Sequence, residues 1–408
     1  MKNIVVFREV SENGRRSTAV TVRSNFAKDI VEAGEYTKST CDRGGDRGTG
    51  QGSLVYGQVG RQQRELSRVG TLSERPVMAE RGDGSVLSQE QIDFFHRHGY
   101  LILRQLIGGS ELEILQRAAD TVQLMGAARV GPDHRYTRSE NGVEVYWRSE
   151  HLWQRNDIFQ VVTVHPDLLE AVGQCIGQSF YPMNDSLVVK LPYAGTRVTW
   201  HQDPPYGDAR RAMTLPVPNF TTDIYLDHSG PENGCVYAIP DHHLVGHVDL
   251  KDKDQEALFN DYGAIPLEME PGDVLFHCLS TPHGSRPNRS YRQRRIFYLH
   301  YVTSEVYHDA YAAWGKWDDG IHEKIQTMMA LRREYGYESP LTRDYLRFDD
   351  NGLCFRGSPS TAKDHWADLQ QALTTEEIER LKRLPKIRDE MSQSAGGQKS
   401  LADKGAAH

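Results

Sequence analysis

Apolar and polar residues change their period along this chain, and the changes mark its organisation. Residues 1–80 have no sustained apolar period: "CDRGGDRGTGQGS" and "GRQQRELSRVGTLSERP" are rich in Gly, Arg, Ser and Gln, which predicts a disordered or loosely attached leader. Patterning begins at "LSQEQIDFFHRHGYLIL". There Ser88 and Gln91 have capping-box spacing, Ile92, Phe94 and Phe95 supply apolar residues, and Gly99 is placed to end a helix in the left-handed conformation. A strand over Tyr100–Leu103 should follow, then a helix from about Ser110 and another in "HPDLLEAVGQCIG", where Leu168, Leu169, Val172 and Ile176 keep helical spacing. After Phe180 the texture shifts to short β-branched or aromatic runs broken by Gly, Pro, Asn and Asp: "SLVVKLP", "TRVTWHQD", "TTDIYLD", "GCVYAIP", "AIPLEM", "GDVLFHCLS" and "RRIFYLHYVT". Many short strands with turn signals between them predict an all-β sandwich or barrel, here with flanking helices. "EVYHDAYAAWGKWDDG" and "IHEKIQTMMALRREYGYE" should add helices that pack on it. The domain is therefore expected over residues 81–358, with residues 359–408 a mostly disordered tail carrying one short helix in "TTEEIERLKRL".

Composition narrows the function classes. With 408 residues and 38% hydrophobic content the chain has material for a sizeable core. No apolar run is long enough for a membrane span and no secretory signal pattern opens the chain, so the default location is the cytoplasm, with no membrane partner. A formal net charge of −8 gives no basic footprint for nucleic acid and favours a small-molecule substrate. The five cysteines, Cys41, Cys175, Cys235, Cys278 and Cys354, form no CxxC pair, which argues for reduced thiols over a disulfide framework or a thiolate zinc site.

The candidate chemistry lies in "VTWHQDPPYGD". On a strand the two-residue period would put His201 and Asp203 on one face and Gln202 on the other. An HxD tripeptide alone is weak evidence, since a turn histidine beside a capping Asp reads the same way. Two ligands also hold a divalent ion poorly, so a third is required, and "GDVLFHCLSTPHGSRPNRSYRQRR" offers two. His283 follows the strand in a Gly- and Pro-containing loop at its mouth; His277 falls inside the apolar run, where a core histidine or one supporting a ligand is expected. Two histidines and a carboxylate with open positions suit non-haem Fe(II) and O2 chemistry. Eleven residues past His283, Arg294 opens "RRIFYLHY", where a guanidinium fork would meet the distal end of a dicarboxylate co-substrate. Arg295 should face the other way.

Several ordered elements together resemble the phytanoyl-CoA dioxygenase (PhyH-like) branch of the Fe(II)/2-oxoglutarate-dependent oxygenases: "FFHRHGYLIL", "HPDLLEAVGQCIG", a strand lysine at Lys190, "LDHSGPENGC", "PGDVLFH" and "HGSRPNRSYRQRR". The resemblance covers about Leu87 to Thr303. It implies a mainly β fold with flanking helices around a double-stranded β-helix (jelly-roll, cupin-like) core. It further implies Fe(II) held by His201, Asp203 and His283, 2-oxoglutarate as co-substrate with its distal carboxylate on Arg294 assisted by Ser285, and O2 as oxidant. Hydroxylation of an unactivated carbon of a small molecule, with release of succinate and CO2, is the implied reaction. The chain departs from the pattern where relatives often carry Trp ahead of the "LD" turn, having Asp223 instead, and where "PDHH", Asp241 to His243, replaces Gly-Ser-His.

Two other functions compete with this one: a cupin-like metal-dependent isomerase or hydrolase, which a strand-borne HxD would also serve, and a β-barrel binding protein without turnover. His242, His243 and His247 read more simply as solvated loop residues than as a second metal site. The pair Arg210 and Arg211 is expected to be solvated or to touch an anionic substrate. Tyr146, Trp147, Trp153 and Trp200 are expected in core or wall, with Trp200 facing away from the metal.

Overall fold

A computed structural model describes residues 7–10, 16–19, 86–177, 179–203, 220–250, 252–304, 306–307, 320–337, 346–349, 352–355 and 362–386. The chain divides into two units, residues 1–73 and 74–408. In the first, β1 (Phe7–Val10) and β2 (Arg16–Ala19) form an antiparallel hairpin, regular structure that the reading of a leader did not foresee. The rest of the leader and the pair Arg210 and Arg211 lie outside the described residues.

The second unit begins as its pattern predicts. Helix α1 (Gln89–His98) has a complete capping box between Ser88 and Gln91, and Gly99 ends it at φ +75°. Only glycine fits there: a Cβ would lie 2.5 Å from both His243 Nδ1 and Thr281 Oγ1. Strand β3 (Tyr100–Leu103) and helix α2 (Gly109–Ala127) follow. The hairpin β4 (His134–Arg138) and β5 (Glu144–Glu150) and the helix α3 (Asp157–Thr163) were not anticipated. Helix α4 (Pro166–Ile176) is the "HPDLLEAVGQCIG" segment.

Two antiparallel sheets make the barrel, as a double-stranded β-helix requires. Its strands are β6 (Ser179–Lys190), β7 (Val198–His201), β8 (Phe220–Tyr225), β9 (Val236–Ala238), β10 (Ile265–Leu267), β11 (Val274–Cys278), β12 (His283–Ser285) and β13 (Arg294–Thr303), with β14 (Leu346–Asp349) and β15 (Gly352–Phe355) added later in the chain. Among the described residues the larger sheet runs β14-β15-β6-β13-β8-β11-β3, with β5 also paired to β6 and β4 to β5; the smaller runs β10-β9-β12-β7.

Alternation along these strands sorts the core into layers. Outward residues of the larger sheet, such as Phe220, Ile224, Phe276, Phe297 and Leu299, pack with helix residues Phe95, Leu115, Phe159, Leu168 and Val172. Inward residues Tyr225, Leu275 and Ile296 meet Val236, Ala238 and Leu267 of the smaller sheet and close one end of the barrel. Over the outer face of the smaller sheet, Trp200, Cys235 and Tyr237 pack with Val248, Leu258, Phe259 and Leu384. Full burial of each such side chain contributes about 1.5–3 kcal/mol, and the end of the barrel not filled this way holds the polar residues of the site.

Helix α5 (Ile321–Glu334) lies in the second expected C-terminal helix, while the first falls largely outside the described residues. Within the expected tail, two helices are present, α6 (Ala362–Ala372) and α7 (Thr375–Arg383). Leu381 and Leu384 are buried, and Asp249 N donates to Lys382 O. The segment thus reaches well beyond a short solvated helix, because Leu384 joins the cluster beneath the smaller sheet. No helix among the described residues is long and apolar enough to cross a membrane.

Candidate metal centre

His201 ends β7 and His283 opens β12, and the two are register partners across the smaller sheet. His283 thus lies on a short strand, where the sequence suggested a loop. Asp203 follows the end of β7; its N–H donates to Leu279 O at 2.8 Å, which turns the chain so that the carboxylate meets both rings. Asp203 Oδ1 lies 3.6 Å from His201 Nε2 and its Oδ2 lies 4.0 Å from His283 Nε2. One donor atom from each residue lies within 4.8 Å of the others, and this is the one such group found among the described residues.

Both imidazoles are oriented by the backbone. His201 Nδ1 is 2.8 Å from Thr199 O, and His283 Nδ1 is 2.9 Å from Thr281 O. A carbonyl only accepts, so each Nδ1 carries a proton and each Nε2 is the atom turned toward Asp203. Thr221 Oγ1, on β8, donates to Asp203 Oδ2 at 3.1 Å. Burial and the neighbouring His201 and His277 push the His283 imidazole down to about 3, which keeps it neutral. For Asp203, burial acts upward but is outweighed by the surrounding imidazoles, first His283 and then His201, and the carboxyl is held well below its usual range. For His201, burial acts downward but is outweighed by the hydrogen bond and charge of Asp203, and the imidazole is raised; a divalent iron would take the place of that proton, and two imidazoles beside an ionised carboxylate are a donor set it accepts.

A cavity of about 270 Å³ opens on these three residues. Arg294 and Ser285 also line it. Arg294 is 1% exposed, and its Nε and Nη1 have no hydrogen-bond partner, a costly state for a guanidinium unless an anion satisfies it. Arg295, next along β13, points outward to Asp227, with Nε to Oδ2 at 2.8 Å, and to Asp120. The alternation expected of these two arginines is present.

Trp147, Arg148, Asn184, Ser186, Tyr298 and His300 supply the other polar and aromatic side chains of the wall, beside three valines and Gly284. Of these only Trp147 was a sequence candidate. Tyr298 and His300 follow from counting in twos along β13 from Arg294, and Asn184 and Ser186 from the same count along β6; Arg148 needed the unforeseen β5. Trp200 turns away into the apolar cluster. His277 is buried behind the site. His243 is also buried and bonded to His96 O at 2.8 Å, so it is a core residue tying the segment after β9 to helix α1 and not a solvated one; His247 is exposed.

The profile of the phytanoyl-CoA dioxygenase (PhyH) family matches residues 95–296, a span that carries the lining of this cavity except Tyr298 and His300. The chain belongs to the PhyH-like family. Methylphosphonate hydroxylase of Gimesia maris is 24% identical over 251 residues, 59% of this chain and 94% of that protein. Peroxisomal phytanoyl-CoA dioxygenase of Bos taurus is 23% identical over 286 residues, 65% and 82% of the respective chains. Among solved structures, EctD from S. alaskensis with 2-oxoglutarate and 5-hydroxyectoine aligns at 20% identity and a TM-score of 0.47, covering 57% of this chain and 82% of that one. PhyH-like proteins are Fe(II)/2-oxoglutarate-dependent dioxygenases, and this chain is an enzyme of that type.

Proposed function

We propose that the enzyme hydroxylates an unactivated carbon of a small molecule, with Fe(II) held by His201, Asp203 and His283 and the distal carboxylate of 2-oxoglutarate held by Arg294 and Ser285. The observation that carries the reading is the pairing, in one cavity, of two backbone-fixed Nε2 atoms turned toward a carboxylate with a buried guanidinium lacking a partner. When bound, the iron and co-substrate supply O2 activation coupled to decarboxylation to succinate and CO2.

What the chain does is hold geometry. The carbonyls of Thr199 and Thr281 fix the ring planes, Thr221 fixes the carboxylate, and the buried Arg294 offers a planar fork to one anion. Trp147, Arg148, Asn184 and His300 remain for the substrate. A cavity of about 270 Å³ shared with the co-substrate fits a small molecule or the reacting end of a longer one. The named relatives, a methylphosphonate hydroxylase and phytanoyl-CoA dioxygenases, bracket that range. The test is succinate release from 2-oxoglutarate with Fe(II), screened over phosphonates, amino-acid derivatives and acyl compounds. Substrate turnover without any requirement for 2-oxoglutarate would refute the proposal.

A further inference from the structure

Behind the cavity lies a polar pair that the reaction above does not use. Asp223, at the middle of β8, is 0% exposed, and His277, on β11, is 1% exposed. Asp223 Oδ2 lies 3.5 Å from His277 Nε2. Neither carboxylate oxygen and neither ring nitrogen makes a hydrogen bond. A buried pair so poorly satisfied does little for stability, since well-packed apolar residues of similar volume commonly serve as well or better. The surrounding layer would accept them: Leu275 faces Asp223 directly across the sheet and, like Ile296 on β13, is fully buried. The fold gains little from an acid here.

The other side of the His277 ring supplies a reason. Its centroid is 4.5 Å from that of His283, with the planes at 53°, and His283 is in turn 4.2 Å from His201. Contact runs from Asp223 through His277 to the imidazole that opens β12. Two residues earlier on β8, Thr221 braces Asp203. Two of the three inward residues of this strand, Thr221 and Asp223, therefore lead to a metal-facing side chain, while the third, Tyr225, fills the apolar end of the barrel. We infer that Asp223 is a positioning residue for the metal centre, acting through His277: its carboxylate fixes the His277 ring, and that ring is the wall that keeps His283 Nε2 aimed at Asp203. The inference rests on the ligand assignment made above.

Anaerobic Fe(II) titration of the full chain tests it, with two readouts: the Fe(II) dissociation constant and the visible charge-transfer absorption that forms with 2-oxoglutarate. Melting temperature monitors the fold. Asp223→Asn keeps the shape and removes the charge; His277→Phe keeps a flat ring and removes the contact with Asp223. Each should weaken Fe(II) binding about tenfold or more, as loss of a group that orients a ligand typically does, and should shift the absorption band. The pair acts as a unit, so Asp223→Asn with His277→Phe should be no worse than the more severe single change. An apolar replacement, Asp223→Leu with His277→Phe, should melt no lower than the wild type and still bind Fe(II) poorly. The inference is overturned if these variants bind Fe(II) within twofold of the wild type with an unshifted band, or if the apolar replacement melts lower and its folded fraction keeps wild-type affinity. A wild type that binds no Fe(II) and forms no band would instead sink the ligand assignment, and this inference with it.

Discussion

Two adjacent arginines show how much a single residue's direction decides. Arg294 and Arg295 are both buried, yet one faces the cavity with two nitrogens unpartnered and the other is neutralised by Asp227 and Asp120. Truncating one partner of a desolvated ion pair typically costs ~2–5 kcal/mol, so Arg294→Ala should raise the 2-oxoglutarate constant by roughly 30-fold or more. Arg294→Lys should recover part of this, a point charge being a poor copy of a planar fork. Arg295→Ala should leave the constant nearly unchanged and lower the melting temperature. An anaerobic titration of 2-oxoglutarate at fixed Fe(II) separates the three, and equal effects at 294 and 295 would contradict the assignment. Likewise, His201→Ala, Asp203→Ala and His283→Ala should each abolish stoichiometric Fe(II) binding while preserving the circular dichroism of the fold. These directions were legible in the sequence because a strand's period of two sorts neighbours onto opposite faces. The support given by Thr221 was not, since it depends on how β8 sits beside the turn after β7, and nothing local in "TTDIYLD" encodes that.

Elements were legible where one stretch of chain contains its own instructions. The capping box at Ser88, the helical period of α1 and the glycine at 99 are all local, and so are the alternating runs of the barrel. The hairpin of β4 and β5 hid because charged residues interrupt its apolar alternation: Arg135 on β4 pairs with Glu150 on β5, and Glu144 on β5 reaches Arg129 just after α2. Where elements meet, burial creates chemistry that no single segment shows. His243 lies under the turn that joins α1 to β3, bonded to His96 O, and burial pushes its imidazole down to about 4 from an ordinary 6.5. Between those values the unfolded chain binds the proton and the folded one does not, so this residue's contribution to stability is intact above pH 6.5 and is lost as pH falls toward 4. The drop is worth roughly 3 kcal/mol. Urea midpoints at pH 7 and pH 4.5 should therefore diverge less in His243→Asn than in the wild type, and equal divergence would remove His243 from the account.

At the scale of the whole molecule, the far end of the sequence reaches back to the strand that carries His201. Leu384 is fully buried against the cluster that includes Trp200 and Phe259, and Trp200 is the residue before His201. The sequence concealed this contact because "TTEEIERLKRL" has few apolar residues, and the surface they cover lies more than a hundred positions away. Leu384 also sits at φ 51°, a left-handed conformation that costs a branched side chain roughly 1–2 kcal/mol. Glycine would relieve that strain but empty the site, and large-to-small changes in a core cost about 2–5 kcal/mol. The loss exceeds the relief, so Leu384→Gly should still lower stability, and Leu384→Ala, which keeps the strain, should lower it further. Ending the chain at residue 358 removes Leu381 and Leu384 together and uncovers the outer face of the smaller sheet beneath Trp200. That chain should melt lower and bind Fe(II) more weakly than one ending at residue 390, because β7 loses its backing while every proposed ligand remains. Thermal melts and anaerobic Fe(II) titration of the two truncated chains decide it: equal melting temperatures and equal affinities would mean that the metal strand is supported without its C-terminal cover.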